Sequence, residues 1–286
     1  MINRGAKNVA IFEDTCQQIS ESDKLYQGVI HSIENQKLYV QSEMYTYEFK
    51  KTKSNKLADI VVSGKRTFQA AKAYAKVGKK VSVLNFASAT NPGGGVRHGS
   101  SAQEEALCRC STLYPCLDTE EMWNKFYIPH RRADNPIHND DIIYTPDVWV
   151  CKSDVDFPER LREEEWYQVD VITCAAPNLR RAPGNVMNPH AGTKKPELTA
   201  TEYRSIMKSR IRHIFMVAQA INADVLILGA FGCGAFCNPP EVVAELFKEA
   251  VEEFGMAFET IEFAVFHRKF ETKNYEAFRE QFEECK

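Results

Sequence analysis

No window of the 286-residue chain approaches the roughly 20 consecutive apolar residues of a membrane-spanning helix. The opening stretch, MINRGAKNVAIFEDT, lacks the apolar segment of a secretory signal. Together these absences set the expectation of a soluble, cytoplasmic protein with no membrane partner. Charge of one sign is also missing: 36 Lys and Arg face 39 Asp and Glu, mixed along the chain, for a net charge of −3. No broad basic surface for duplex nucleic acid follows from that, and general nucleic-acid binding is not expected. Neither a GxxxxGK[ST] loop nor a GxGxxG after a strand occurs, and GGGVRHG at 93–99 has the wrong spacing for a dinucleotide loop. The CxC of Cys108 and Cys110 is followed by no CxxC pair and no HxxxH, so neither a metal nor a cofactor is expected. Nine cysteines, an odd number set among apolar segments such as VITC ending at Cys174, fit reduced thiols better than a disulfide framework.

What is present is an alternation of strand-like and helix-like segments. Apolar positions at Val9, Ile11, Phe12, Cys16 and Ile19 predict an amphipathic helix near the start. LYQGVIHS and KLYVQS read as a hairpin, and the basic run at 50–56 as a solvated linker. From residue 60 onward, strands are predicted at 60–62, 81–87, 142–152, 169–176, 224–231 and 261–266. Helices are predicted over 66–77, 101–116, 202–222, 240–254 and 274–282, while 118–141 reads as irregular. Pro146 marks a bend or an edge in its strand. The near-continuous apolar runs suit strands covered on both faces, and the alternation predicts an α/β layered domain with a largely parallel sheet. A boundary is placed after residue 56, dividing an N-terminal accessory segment (1–56) from the main domain (57–286).

Two predicted strands end in glycine-rich turns. One leads to Gly93, Gly94 and Gly95, the other to Gly232, Cys233 and Gly234. Ligands of open α/β sheets bind beyond the carboxyl ends of strands, and glycine lets bare backbone N–H groups approach a ligand. With a helix after each loop, two positive dipole ends converge on one anion, which favours a diphosphate. Gln103, Glu104 and Glu105 then open the helix after the first loop. A helix N-terminus lowers a carboxyl pKa, whereas burial and a neighbouring carboxylate raise it, and a proton donor needs the second pair to win. Consecutive glutamates lie about 100° apart around a helix, so they do not flank opposite faces of one sugar. The natural division gives one the proton chemistry and the other the sugar hydroxyls.

GGG followed seven residues later by QEE resembles the signature of poly(ADP-ribose) glycohydrolases. NFASATNPGGG, STLYP, VDVITCAAPN and LGAFGCGAFCNPP are similar to the microbial branch of that family. The resemblance implies a macrodomain, a three-layer α/β/α fold with a mixed, largely parallel sheet, carrying a small N-terminal appendage. It implies Glu105 as catalytic acid and base, Glu104 on the ribose hydroxyls and Gln103 ordering the site. Gly93, Gly94, Gly95 and Val96 would line the loop over ribose and diphosphate. Gly232, Cys233, Gly234, Ala235 and Phe236 would form the second phosphate loop, with Phe236 against the terminal ribose. Animal-type members carry an Asn shortly after the Phe-Ala pair; here Ser88 follows Phe86-Ala87, and the nearest is Asn91. The implied reaction hydrolyses ribose–ribose O-glycosidic bonds of poly(ADP-ribose) and releases ADP-ribose, without a metal. The alternatives are a macrodomain that binds ADP-ribose without cleaving it, and a hydrolase of mono-ADP-ribosylated protein or nucleic acid. An intact QEE triplet favours the enzyme.

Overall fold

The structure, a computed structural model, describes residues 3–47, 56–184 and 188–283. Its strands are β1 (Lys37–Tyr39), β2 (Asp59–Ser63), β3 (Val81–Phe86), β4 (Ile142–Val150), β5 (Tyr167–Cys174), β6 (Val225–Leu228) and β7 (Thr260–Ala264). They form one sheet in the order β1-β4-β5-β3-β6-β7-β2. From β5 to β2 the pairings are parallel, whereas β4 runs antiparallel to both β5 and β1. The carboxyl ends of β5, β3, β6, β7 and β2 therefore open on one edge of the sheet.

Helices cover both faces, which accounts for the apolar runs in the strands. The first layer holds α3 (Thr67–Lys76), α4 (Gln103–Cys110) and α5 (Leu113–Leu117), with α1 (Arg4–Glu21) packed on α4 and α2 (Asp23–Glu34) against β4 and α5. The second holds α8 (Ala200–Ala220), α9 (Pro240–Phe254) and α10 (Lys273–Glu283). Strand periodicity sorts the side chains: Val81 and Val83 of β3 enter the α3/α4 core, and Leu84 enters the α8/α9 core. No helix among the described residues is long and apolar enough to cross a membrane.

Two sequence expectations fail. LYQGVIHS is not a strand but lies inside α2, where Leu25, Val29 and Ser32 are buried at i, i+4 and i+7, a helical period. A Cβ at its Gly28 would meet Trp149 Cδ1 at 2.5 Å, so the glycine admits the helix against β4. Only residues 37–39 of the second predicted strand are extended, as β1. The stretch 118–141 is not wholly irregular either. It carries α6 (Glu120–Met122), a π-turn (Trp123–Tyr127) and α7 (Ile128–Ala133), where Pro129 is tolerated in the first turn. Pro146 does mark a bulge: the β4–β5 register shifts between Thr145 and Val148, and Asp147 takes φ 54°. The segment before residue 57 contributes α1, α2 and the edge strand β1 to the same layered body; residues 50–55 of the basic run lie outside the described residues.

Arg210 of α8 is fully buried and ties the segment after α7 to the end of β5. Its Nε donates to Asp140 Oδ1 (2.8 Å), and its Nη1 donates to the carbonyls of Ile137 (2.9 Å) and Ala175 (2.7 Å). Arg210→Ala would leave the buried Asp140 carboxylate without its counter-charge, held only by the Ser209 hydroxyl, and two carbonyls without this donor, and is expected to destabilise the fold by about 3–5 kcal/mol. Denaturant unfolding of the variant against wild type measures this.

Candidate active site

The strand end, the glycine loop and α4 are locked together by Gln103. Its Oε1 accepts from the Phe86 N–H (2.9 Å), and its Nε2 donates to the Leu84 carbonyl (2.7 Å) and to Thr67 Oγ1 (3.0 Å). The first residue of α4 thus borrows the ladder groups at the carboxyl end of β3. Glu104 and Glu105 follow, both more than nine-tenths buried. Glu104 Oε2 accepts from the Ser88 N–H (2.7 Å) and its Oε1 from Asn85 Nδ2 (3.3 Å). Glu105 Oε1 accepts from the Gly95 N–H (2.9 Å), while its Oε2 is buried with no hydrogen-bond partner.

Gly94 lies directly on these carboxyls. A Cβ added to it would stand 2.5 Å from Glu105 Oε1 and 3.0 Å from Glu104 Oε2, and its φ is +58°. Space and conformation both demand glycine here. The glutamates diverge around the helix, yet both carboxyl groups come under one α-carbon.

Burial settles the opposed effects on acidity. Glu104 is raised well above the ordinary carboxyl range, first by burial and then by repulsion from Glu105; the donors Ser88, Asn85 and Gly93 offset part of this. Glu105 is raised by burial, against the N–H of Gly95, backbone N–H groups of its own helix turn and the charge of Arg109. A raised carboxyl holds its proton toward neutral pH, as a general acid requires.

The second loop faces the first across a cavity of about 1000 Å³. Gly232 takes φ +74°, and a Cβ on it would meet Ala176 Cβ and Asn238 Nδ2 at 2.5 Å. Asn238, 2% exposed, braces the loop: its Nδ2 donates to the carbonyls of Pro177 (2.8 Å) and Gly232 (3.0 Å), and its Oδ1 accepts from Tyr203 (3.1 Å). The cavity wall brings together Gly94, Gly95, Gln103, Glu104, Glu105, Gly232, Gly234, Ala235 and Phe236. Four expected residues stand behind it instead. Gly93 packs on the Tyr114 ring, Val96 is buried, the Cys233 thiol turns to the Phe231 carbonyl, and Asn91 is engaged with Asn188 and Arg131. The expected pair of converging dipoles is reduced to one. α4 begins at the wall, but α9 begins at Pro240, which has no N–H, and its first turn lies off the wall. Sequence reasoning missed Asn85 and Ser88, the donors to Glu104; a lone Asn in the apolar run VSVLNF was the available signal. Among the described residues no group of three His, Cys, Asp or Glu is placed to hold a metal ion.

A carboxyl whose folded pKa is raised favours the fold below its unfolded pKa, and that stability is lost as pH rises through the folded value. With Glu104 and Glu105 both raised, stability falls as pH climbs from about 4.5. Glu104→Gln, which is neutral and keeps an acceptor for Ser88, is expected to unfold at higher temperature than wild type at pH 7–8. The gap should close toward pH 4, and thermal unfolding across that range tests it.

No curated protein sequence matches the chain. The family model of the microbial-type PARG catalytic domain matches residues 7–153, about half of it. Among solved structures, poly(ADP-ribose) glycohydrolase from Thermomonospora curvata is 29% identical with a TM-score of 0.82, covering 96% of this chain and 99% of that one. The same enzyme bound to the inhibitor ADP-HPD is 30% identical at TM-score 0.80, with the same coverage. The Deinococcus radiodurans enzyme in complex with ADP-ribose is 29% identical at TM-score 0.76, covering 90% of this chain and 98% of that one. With the glycine loop closed over paired buried glutamates and relatives that align over nearly the whole length, the chain belongs to the microbial-type poly(ADP-ribose) glycohydrolase family.

Proposed function

We propose that Glu105 is the general acid and base of poly(ADP-ribose) hydrolysis in this protein. The observation that carries the assignment is Glu105 Oε2, a buried oxygen without a partner on a carboxyl that lines the cavity. Protonated, Glu105 donates to the oxygen leaving the anomeric carbon of a ribose–ribose bond, and an oxocarbenium ion forms. The resulting carboxylate then takes a proton from water as that water attacks the anomeric carbon, so ADP-ribose is released and the acid is restored.

Glu104, held by Ser88 and Asn85, is assigned to the ribose hydroxyls. Gly94 and Gly95 on one side and Gly232, Gly234, Ala235 and Phe236 on the other are assigned to the diphosphate and terminal ribose. Their support is the shared cavity wall and the open space at Gly234, where an added Cβ would meet nothing within 4 Å. The purine is assigned to the far rim, where the Arg66 guanidinium lies over the Phe266 ring at 3.9 Å and both residues line the cavity. Gly93, Val96, Asn91 and Cys233 are assigned a supporting role behind the wall. The cytoplasm is the proposed compartment, on the support that the cysteines among the described residues are all unpaired.

Wild type is expected to release ADP-ribose from poly(ADP-ribose), and Glu105→Gln to lose about 10²–10⁴-fold in kcat while still binding ADP-ribose. Chromatography of products with calorimetry of binding tests both, and a Glu105→Gln enzyme at the wild-type rate rejects the assignment. Running a mono-ADP-ribosylated protein beside the polymer separates the two hydrolase readings; binding without release from either favours a reader. Gly94→Ala is expected to lose activity too, because its methyl group would displace the glutamates.

A further inference from the structure

We propose that α1 is part of the catalytic machinery, holding the Glu105 carboxyl through the glycine loop, with Asn8 as the positioning residue. The proposal rests on Glu105 being the reacting carboxyl.

Asn8, Phe12 and Thr15 fall at i, i+4 and i+7, on one face of α1, and all three are buried. A helix that served stability alone would bury apolar side chains on that face. Two of these three are polar, and a buried polar group needs a partner. Each has found one in the active-site frame. Asn8 Nδ2 donates to the Gly99 carbonyl (2.9 Å), and Thr15 Oγ1 donates to the Arg109 carbonyl of α4 (2.6 Å). Between them, Phe12 meets the Tyr114 ring edge-on at 4.9 Å, and Tyr114 is the ring on which Gly93 packs.

The contact at Gly99 is as tight as the one at Gly94. Gly99 takes φ +79°, and a Cβ on it would stand 2.2 Å from the Gly5 carbonyl oxygen. Backbone thus meets backbone between the first turn of α1 and the end of the glycine loop. From there a short chain of bonds reaches the acid. The Gly99 N–H donates to the Val96 carbonyl (3.1 Å), the Ser100 N–H donates to the Gly95 carbonyl (3.2 Å), and the Gly95 N–H donates to Glu105 Oε1 (2.9 Å). Removing the Asn8 amide leaves the Gly99 carbonyl buried without its donor. The turn over 95–100 then shifts, and Gly95 no longer fixes Glu105.

The test compares Asn8→Ala and Asn8→Leu, close in size and without a donor, with Thr199→Ala. Thr199 caps α8 in the opposite layer, and its loss lowers stability without touching the loop. Both Asn8 variants are expected to lose about tenfold to a hundredfold in kcat, with KM moving less, because a small misplacement of a reacting group is costly. Amide exchange should quicken over residues 94–100, while Thr199→Ala lowers the unfolding temperature and keeps kcat. Asn8 variants that melt earlier, yet keep wild-type kcat and wild-type exchange over 94–100, overturn the proposal. Should neither Asn8 variant fold, Phe12→Leu, which keeps apolar burial but removes the ring from Tyr114, is judged by the same readouts. Glu105→Gln assayed in parallel separates the two ideas: activity in that variant rejects the role of Glu105, and loop exchange still judges the clamp.

Discussion

One close approach governs the site: the α-carbon of Gly94 rests on two carboxyl groups that are themselves almost out of water. Burial is the largest influence raising both carboxyls, and Gly94 of the loop stands directly against them. The loop can sit there only because Gly93 and Gly94 have positive φ and no side chain to clash. The N–H groups of Ser88, of Gly95 and of the first turn of α4 pull the other way, and burial prevails.

Much of the surrounding fold serves that contact. Gln103 joins α4 to the last ladder groups of β3, so helix and strand end move as one. Tyr114 backs Gly93, and its hydroxyl is held between Arg97 (2.6 Å) and Asp118 (2.8 Å). Across the cavity, Asn238 ties the second loop to the strand end at Pro177, and Arg210 anchors the neighbouring carbonyl of Ala175. The two loops differ in kind. The first lies on two buried carboxyls at a helix N-terminus, and the second offers a backbone surface braced by Asn238. That asymmetry suits the hydrolysis of poly(ADP-ribose), in which proton transfer is confined to one end of an extended anionic unit.

Where a single segment carried its own pattern, the sequence was readable. The apolar runs at 81–87 and 224–231 became neighbouring parallel strands, and the 3.6-residue spacing after 202 became α8. Glycine, spacing and acidic triplet together marked the loop and the helix start. Patterns failed where one residue had two uses. LYQGVIHS reads as a strand, yet it is helical, and its Gly28 is the notch that admits Trp149 against α2. The stretch 118–141 reads as irregular, yet Arg131 of α7 donates to the Thr90 carbonyl before the glycine loop, and Asp140 beyond α7 accepts from Arg210 of α8.

Residue identity by itself determined the layered α/β class, the glycine loop and which glutamates stand at the head of α4, because each follows from local periodicity or backbone sterics. Only the tertiary structure decided that both carboxyls meet under Gly94, that burial outweighs the N–H groups around them, and that Asn85 and Ser88 are the donors to Glu104. It also placed α1 against the back of the loop, joining Gly5 and Asn8 to Gly99 across more than ninety residues of sequence. Desolvation and hydrogen bonds between distant segments depend on the packed arrangement of the whole chain, and no short window of sequence contains them.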